Sequence, residues 1–422
     1  MDLETFTWLL TPAGQVLLAE LAARPFTEAD TLRELERLRR QVSPAQARAA
    51  LELVLLRRRA QRKFPAADQL YFTREALEQA SAAPVAAHRA ARLAAAGHVA
   101  DLGCGIGSDA LALAAAGARV TAVDRDPLRL AMAQANAAAL GLTERIVWLQ
   151  RDLLVEEPPH ASALFCDPGR RAGGRRRFSV EAYEPPLSRV LAWRARTPAL
   201  AIKLAPGVDP ATLPAGAELE FVSLDGELKE AVLWCGPLAH TARRATVLRS
   251  GANQPIATST LTTSAERPPS SALRPPPSTL NPRPSALSPQ PSAFLYEPDP
   301  AVIRAGLVTD LAARLGATLL DPEIAYLTAP SAVATPFARV WPVISWQPFS
   351  LKGLRAQLRA LGAGPVTVKK RGSPLDTEAL ARQLSGAGPH PLVVVLTRVA
   401  GRPAALICGT PLALQDTAPE NP

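Results

Sequence analysis

The sequence has few of the residues that build metal centres and disulfide frameworks. Its 422 residues include only four cysteines and five histidines. The cysteines are scattered, and none of them is spaced as in a C-x-x-C motif. They stand at Cys104, Cys166, Cys235 and Cys408. Neither a structural metal nor a disulfide framework is therefore expected.

Long apolar runs are also missing, because no uninterrupted run approaches the ~18 residues that a membrane span needs. The chain starts with MDLETFTWLL, where acids precede a short apolar patch and the positive start of a secretory signal is absent. Apolar residues still make up 48% of the chain, which is enough for globular cores. We expect a cytoplasmic protein with no membrane partner.

Lysine is scarce, although the chain is basic. The net charge is +9, yet only six of the 47 basic residues are lysines and the other 41 are arginines. With so much alanine and proline, this bias is typical of a GC-rich genome that uses Arg codons. The total charge still predicts an anionic partner.

The hydrophobic pattern divides the chain into several regions, as its length leads us to expect. Residues 1–97 carry helix-start signals and form a predicted helical region. Residues 98–249 contain seven candidate strands, the first five of which are separated by helical stretches. This alternation predicts an α/β fold with a parallel sheet covered on both faces. The last two strands flank Asp225-Gly226 and predict an antiparallel hairpin at one edge.

The remaining sequence predicts a linker and a second small domain. Residues 250–293 contain ten prolines and nine serines. Leucines recur there every seven residues, but the prolines exclude a helix, so we predict a disordered spacer. Residues 294–422 combine alternating and apolar strand patterns with helical stretches, and predict a C-terminal α+β domain.

A glycine-rich turn between a predicted strand and a predicted helix is the strongest functional signal. Residues 101–107 read DLGCGIG, and the glycines let the backbone approach a ligand closely. NAD-binding folds use a similar turn, but they place their third glycine where Ser108 stands. The turn also has no lysine for a triphosphate. S-adenosylmethionine (SAM) carries a sulfonium rather than phosphates, and Asp101 suits that positive charge.

Two more acids follow successive strands. Asp124 ends the second strand and can accept both ribose hydroxyls, while Asp152 follows the third and can accept from the adenine amine. Each acid alone could be a cap or a solvated loop residue, but the three together indicate a SAM crevice at the carboxyl edge of the sheet. The predicted cofactor-binding residues are Asp101, Gly103, Cys104, Gly105, Gly107, Asp124, Arg125, Asp152 and Asp167.

Residues 98–168 resemble the class I SAM-dependent methyltransferases, whose cofactor motifs the acids and glycines above match one by one. The whole chain except the linker is similar, more narrowly, to a bacterial group that carries a C-terminal THUMP-like domain. The motifs are Arg62-Lys63-Phe64, Leu77–Ala80, Asp167–Arg171, Gly226–Glu230, Tyr296–Asp299 and Val368–Gly372. It is also distantly similar to RNA cap guanine-N2 methyltransferases. These resemblances imply a Rossmann-like seven-stranded sheet, SAM as cofactor and an RNA substrate.

The fourth strand ends in Asp167-Pro168, which we predict to be the catalytic residues. Methyltransferases that act on exocyclic amines place Asp or Asn, Pro, Pro and an aromatic residue here. This chain instead continues with Gly169-Arg170, which argues against base stacking at the loop. Because the sulfonium is already activated, catalysis rests on alignment, with Asp167 as a positioning group and candidate proton acceptor. A plain strand-end turn is the alternative interpretation.

Two basic clusters are candidate substrate-binding residues, since arginine and lysine hold phosphates. The first lies beside Asp167 and the second follows an alternating C-terminal strand; either could equally be a solvated surface. Their members are Arg170, Arg171, Arg175, Arg176, Arg177, Lys369, Lys370 and Arg371.

The leading hypothesis is a SAM-dependent methyltransferase that modifies RNA at a base exocyclic amine, assisted by the C-terminal domain. A second is a methyltransferase for a small molecule or a protein. A third is an RNA-binding adaptor that keeps SAM without catalysis, and the weakest is a nicotinamide-dependent oxidoreductase.

Overall fold

A computed structural model describes residues 1–169, 171–172, 175–176, 179–251, 254–263 and 290–412. Two compact units divide the chain. The first unit comprises residues 1–208 and 231–240, and the second comprises 209–230 and the chain from 241 onward. Each unit is described by itself below.

The first unit begins with helices and continues with alternating strands and helices. Its described helices are α1 (Leu3–Leu9), α2 (Pro12–Ala22), α3 (Thr31–Leu38), α4 (Pro44–Ala60), α5 (Arg74–Gln79), α6 (Ala83–Leu93), α7 (Ser108–Ala115), α8 (Pro127–Ala139) and α9 (Leu187–Ala192). Its described strands before residue 209 are β1 (His98–Leu102), β2 (Arg119–Asp124), β3 (Ile146–Gln150), β4 (Ala163–Cys166), β5 (Arg171–Ala172), β6 (Arg175–Arg176) and β7 (Leu200–Leu204).

The rest of the chain is richer in strands. In chain order it forms β8 (Glu218–Leu224), β9 (Glu227–Cys235), β10 (Arg243–Gly251), β11 (Gln254–Thr262), β12 (Phe294–Pro298), α10 (Pro300–Ala305), α11 (Val308–Leu315), β13 (Thr318–Asp321) and β14 (Ile324–Ala329). It ends with β15 (Ala338–Pro348), α12 (Leu351–Ala360), β16 (Ala363–Lys370), α13 (Thr377–Leu384), β17 (His390–Val399) and β18 (Arg402–Cys408).

The central sheet combines parallel strands with an antiparallel hairpin, as predicted. Strands β3, β2, β1, β4 and β7 are neighbours in that order and all pair in parallel. Strand β9 then pairs antiparallel with β7, and β8 joins β9 as a hairpin across Asp225-Gly226. This confirms the seven strands of the Rossmann-like sheet, in which the order reverses beside β1 and opens a crevice at the carboxyl edge. Strands β10 and β11 extend the sheet beyond β8 to nine strands.

The predicted helical region is present and is tied to the sheet domain by packing. Caps start its helices: Thr11 precedes Pro12 at α2, and Ser43 forms a capping box before α4. Its buried residues share one core cluster with Ile106, in the glycine-rich turn, and Met132, on α8. The helical region therefore supports the turn directly.

Three predicted boundaries differ in the structure. The helical stretch predicted between the fourth and fifth strands is interrupted by Pro185-Pro186, so only α9 is α-helical there. Strand β11 lies inside the predicted linker, where β-branched residues pair antiparallel with β10. The boundary between the two units also places residues 209–230 with the C-terminal half of the chain rather than with the sheet domain. Residues 264–289, the proline-rich core of the linker, lie outside the described residues.

The C-terminal region of the second unit is an α+β structure, as predicted. One sheet follows the order β13-β14-β12-β15-β18-β17-β16, antiparallel except for the β16–β17 pair. Helices α12 and α13 pack on its last strands through Leu354, Leu358, Leu380 and Leu384. Among the described helices, none is both long and apolar enough to span a membrane.

Candidate active site

The glycine-rich turn adopts the backbone geometry for which its glycines were predicted. Gly103, Gly105 and Gly107 all have positive φ, at +85°, +56° and +90°. A Cβ on Gly103 would stand 2.9 Å from the carbonyl oxygen of Asp167. The turn therefore requires glycine at Gly103 for two independent reasons, backbone conformation and close approach.

Asp124 fixes the turn against β2. Its Oδ2 accepts a hydrogen bond from the Gly105 amide at 2.8 Å, and its Oδ1 accepts from the Asp126 amide at 3.0 Å. Each oxygen keeps a lone pair for a ligand hydroxyl. Asp152 stands after β3, and its Oδ1 accepts from the Leu154 amide at 2.9 Å. Arg125, also predicted at the cofactor, is exposed and pairs with Glu184 at 3.2 Å.

Asp101 is a buried carboxyl group beneath the turn, and its side chain has no hydrogen-bond partner in the described part of the chain. Burial raises the pKa of Asp101 well above its ordinary value, and the negative charges of Asp109 and Asp167 raise it further. Arg89 acts in the opposite direction. An unpartnered buried acid is costly in an empty site and complementary to a cationic ligand.

A network of charges connects the base of α7 with the end of β4. Arg89 on α6 is 1% exposed; its Nε donates to Asp109 Oδ1 at 3.0 Å and its Nη2 donates to Ser81 Oγ at 2.7 Å. Lys203 on β7 is also buried, and its Nζ donates to Ser81 Oγ at 2.9 Å and to Asp167 Oδ2 at 2.7 Å. Sequence reasoning missed these partners of Asp167 because none of them belongs to a local motif.

The predicted catalytic pair follows β4 directly. The Asp167 amide donates to Leu102 O at 3.1 Å, which places Asp167 beside the end of β1. Pro168 is buried, and Gly169 exchanges two backbone hydrogen bonds with Glu184 at 2.8 and 2.9 Å. The Asp167 side chain keeps 25% of its surface exposed, so its carboxylate can reach a ligand.

These residues enclose one cavity of about 310 Å³ within the first unit. Asp101 and Gly107 lie behind this surface, whereas the other predicted cofactor and catalytic residues line it. Helix α5 and Ser81, from the helical region, form a further wall. The acids in the lining outnumber the arginines, seven to three: Glu75, Glu78, Asp109, Asp124, Asp152, Asp167 and Glu184 against Arg125, Arg129 and Arg151. The cavity therefore favours ligands that carry positive charge.

The two basic clusters predicted to bind substrate lie in different parts of the chain and have different surroundings. Arg171 and Arg175-Arg176 belong to the short β5–β6 hairpin, whereas Arg170 and Arg177 lie outside the described residues. In the second unit, Lys369 pairs with Glu297 and Arg371 donates to the Ala325 carbonyl oxygen. Lys370 donates to the Leu375 carbonyl oxygen at 2.7 Å. All three members of the second cluster thus have internal partners, and their predicted contact with substrate stays a prediction.

The cysteines in the cavity region are not nucleophiles. Burial raises the pKa of Cys104 and of Cys166 well above the ordinary value, and nearby acids add to this effect. Thiols kept protonated in this way are inert. Cys104 therefore contributes its backbone and bulk to the cavity wall.

Comparisons with known proteins agree with the fold. Residues 99–165 match the family model of a methyltransferase domain, residues 338–410 match a THUMP domain-like model, and residues 2–60 match a domain of unknown function. The chain also matches the crystal structure of a candidate methyltransferase from Porphyromonas gingivalis W83 with a TM-score of 0.67. That match covers 92% of this chain and 100% of the other at 20% identity, so it concerns the fold. The fold and the site together define a class I, Rossmann-like methyltransferase.

A curated relative identifies the family. The chain is 37% identical over 361 residues to an uncharacterized S-adenosylmethionine-dependent methyltransferase of Mycobacterium tuberculosis, found in strains CDC 1551 and H37Rv. The match covers 83% of this chain and 92% of the relative. This chain therefore belongs to the S-adenosylmethionine-dependent methyltransferases. The open backbone at Gly105 and the unpartnered Asp101 carboxyl fit a cofactor with a positive charge.

Proposed function

We propose that this enzyme methylates RNA at an exocyclic amine of a base, with Asp167 orienting the amine and the C-terminal domain binding the RNA backbone. SAM, when bound against the glycine-rich turn, supplies the methyl group as an activated sulfonium. The remaining work belongs to this chain's own residues, which hold the cofactor, align the amine and exclude competing water.

The charge of the THUMP-like segment is the observation that carries the RNA part of the proposal. Residues 338–410 contain ten basic residues but only two acids, Asp376 and Glu378, a net charge of +8 in a chain whose total is +9. A concentration of this size in one small domain is the electrostatic signature of nucleic-acid binding.

Helix α12 gives this charge a specific surface. Lys352, Arg355 and Arg359 are spaced by three and four residues, so they share one face of the helix. Arg355 donates to Gln383 Oε1 on α13 at 3.0 Å, beside a cleft of about 230 Å³ that Arg359 also lines. We propose this basic face, together with Lys369-Lys370-Arg371, as the contact with RNA phosphates.

Methyl transfer from radiolabelled SAM tests the proposal. The acceptor is total RNA from cells that lack this protein, with nuclease-digested RNA and cell protein as controls. We expect label in intact RNA, its loss in Asp167→Ala, and no loss in Asp68→Asn, which changes an exposed aspartate of the same unit. Label that appears only in protein or in small molecules would refute the RNA substrate.

RNA binding gives a second, independent test. The double variant Arg355→Glu, Arg359→Glu should weaken RNA binding and flatten its salt dependence, because fewer phosphates are neutralised. The matched control Arg39→Glu, Arg40→Glu makes the same charge change on exposed residues of the helical region and should bind RNA as the wild type does.

The acidic cavity favours one alternative, a protein or small-molecule amine as acceptor. Seven acids against three arginines would attract an alkylamine more strongly than a phosphorylated substrate. The same labelling experiment decides between the two, because label in cell protein that survives Arg355→Glu, Arg359→Glu supports the alternative.

A further inference from the structure

Lys203 is a buried lysine whose ammonium pairs with one carboxylate, that of Asp167. It lies on β7, next to β4, and its side chain keeps only 5% of its surface exposed. Its ammonium donates to Asp167 Oδ2 at 2.7 Å and to Ser81 Oγ at 2.9 Å. Burying an ammonium group is costly unless it is paired with an acid and hydrogen-bonded, so the pair with Asp167 is held in one geometry.

Ser81 fixes the direction of the ammonium. Its Oγ accepts hydrogen bonds from Lys203 and from Arg89, the latter at 2.7 Å, which occupies both lone pairs. Its own hydroxyl proton is directed to Asp109 Oδ2 at 3.4 Å. Because every position around Ser81 Oγ is used, Lys203 cannot turn away from Asp167 without breaking a buried hydrogen bond.

We propose that Lys203, oriented by Ser81, is the positioning residue of the methyl transfer: it binds Oδ2 of Asp167, so that Oδ1 faces the acceptor amine. The inference rests on the proposed role of Asp167 toward an amine. It adds a residue outside the glycine-rich turn and the Asp-Pro motif, and it assigns separate tasks to the two oxygens of one carboxylate.

The chemistry requires an ionised carboxylate at this point. The amine nitrogen forms a new N–C bond as the C–S bond of the sulfonium breaks, and the nitrogen must then lose one proton. Asp167 Oδ1 accepts this proton and passes it to water through the exposed quarter of its side chain. A protonated Asp167 could not accept this proton. It would also donate a hydrogen bond to the amine lone pair that attacks the methyl group.

Among the described residues, Lys203 is the cation that pairs with Asp167. The nearest other carboxyl group, Asp101 on β1, offers no compensation, because the negative charge of Asp167 helps to raise the pKa of Asp101. Arg89 is already committed to Asp109 on α7. The charged and titratable groups around this carboxylate, from all the elements described, are Asp101, Asp109, Arg89, Lys203, Cys166 and, across the cavity, Glu184 and Arg125.

The test compares Lys203→Met, which keeps the stem but removes the charge, with Lys203→Arg, which restores a cation. Rates are measured between pH 5.5 and 9.5 at saturating SAM and RNA, and the SAM affinity is measured separately by calorimetry. We expect Lys203→Met to lower kcat by about 10²-fold at neutral pH and to move the acid limb of the pH profile upward by about one unit. The SAM Kd should change less than about threefold, and Lys203→Arg should recover about tenfold in rate.

Two further variants make the test decisive. Ser81→Ala removes one anchor of the ammonium and should shift the pH profile in the same direction by a smaller amount. Lys229→Met removes a lysine that pairs with Glu227 in the second unit and should leave the profile unchanged. If Lys203→Met fails to fold, Ser81→Ala and Lys203→Arg carry the comparison.

The outcomes separate this inference from the proposed function. A Lys203→Met enzyme that labels RNA with the wild-type pH profile overturns the positioning role and leaves the RNA methyltransferase standing. Loss of rate without a shifted acid limb, and without rescue by Lys203→Arg, also overturns it by making Lys203 merely structural. Failure of the wild-type protein to methylate any amine while it still binds SAM overturns both.

Discussion

Asp101→Asn should stabilise the protein at neutral pH, although it alters a predicted cofactor-binding residue. The carboxyl of Asp101 is buried, has no hydrogen-bond partner in the described structure, and has a pKa raised well above its ordinary value by burial and by neighbouring acids. A raised folded-state pKa means that the unfolded chain loses its proton first. The contribution of Asp101 to the free energy of unfolding is therefore fully present below about pH 4, the pKa of this carboxyl group in the unfolded chain. It is lost as the pH rises toward the pKa of the group in the folded protein.

The size of this effect has a thermodynamic limit. Between the unfolded pKa and pH 7 lie about three pH units, and each unit is worth about 1.4 kcal/mol, so the loss by pH 7 cannot exceed about 4 kcal/mol. The amide of the variant adds a cost of about 1–3 kcal/mol that does not depend on pH, because its donors are also buried. The advantage of Asp101→Asn over the wild type should therefore grow by up to about 4 kcal/mol from pH 4 to pH 7.

Urea unfolding without SAM, followed by tryptophan fluorescence at several pH values, measures this difference. Four of the six tryptophans (Trp8, Trp148, Trp193 and Trp234) belong to the first unit and report on it. The variant should also bind SAM more weakly, since the charge that complements the sulfonium is gone. A stability difference that stays constant between pH 4.5 and pH 8 would refute the reasoning.

Three further predictions concern the same region. Gly103→Ala should weaken SAM binding by about tenfold or more. Its control is Gly97→Ala: Gly97 has a similar positive φ, but a Cβ there would meet nothing within 4 Å, so this variant should lose only about 1–2 kcal/mol of folding stability through backbone strain. Equal SAM affinities of the two variants, measured by calorimetry, would contradict the close-approach argument. Arg89→Met should lower the free energy of unfolding, measured by urea titration, by about 3–5 kcal/mol, because it leaves the Asp109 carboxylate buried without its partner. The double variant Arg89→Met, Asp109→Leu should recover most of that loss. The four buried cysteines should resist a thiol reagent at pH 8 until the protein unfolds. Burial raises the pKa of each of these thiols, to about 11 at Cys235. Rapid labelling of the native protein would contradict this prediction.

The sheet and the turn could be predicted from sequence because their signals are local. A strand, a glycine-rich turn and a helix occupy neighbouring residues, so Gly103, Gly105 and Gly107 fall where their conformations are required. Alternating apolar segments likewise predict parallel strands that must be covered on both faces. Where the local signal was mixed, the predicted boundary was wrong. The prolines near β11 suggested a linker, whereas the β-branched residues of β11 form a strand that pairs with β10.

Partnerships between distant residues could not be predicted in this way. Lys203 and Asp167 are 36 positions apart, and Lys203 and Ser81 are 122 apart, so no spacing rule connects them. Lys369 is a second example. It pairs with Glu297, 72 positions earlier, and no local signal indicated this partner because only the folded sheet brings the two residues together.

The buried charges of the first unit are better explained by function than by stability. A core built for stability would place apolar residues at these positions, since buried ion pairs are often no more stable than apolar replacements. This chain instead gathers three acids, Asp101, Asp109 and Asp167, and supplies two buried cations, Arg89 and Lys203, as partners of the last two. The acid left without a cation is Asp101, the one beneath the glycine-rich turn. A cationic cofactor bound in the cavity in front of Asp101 would offset part of the cost of this carboxyl group, and this is the role that we propose for it.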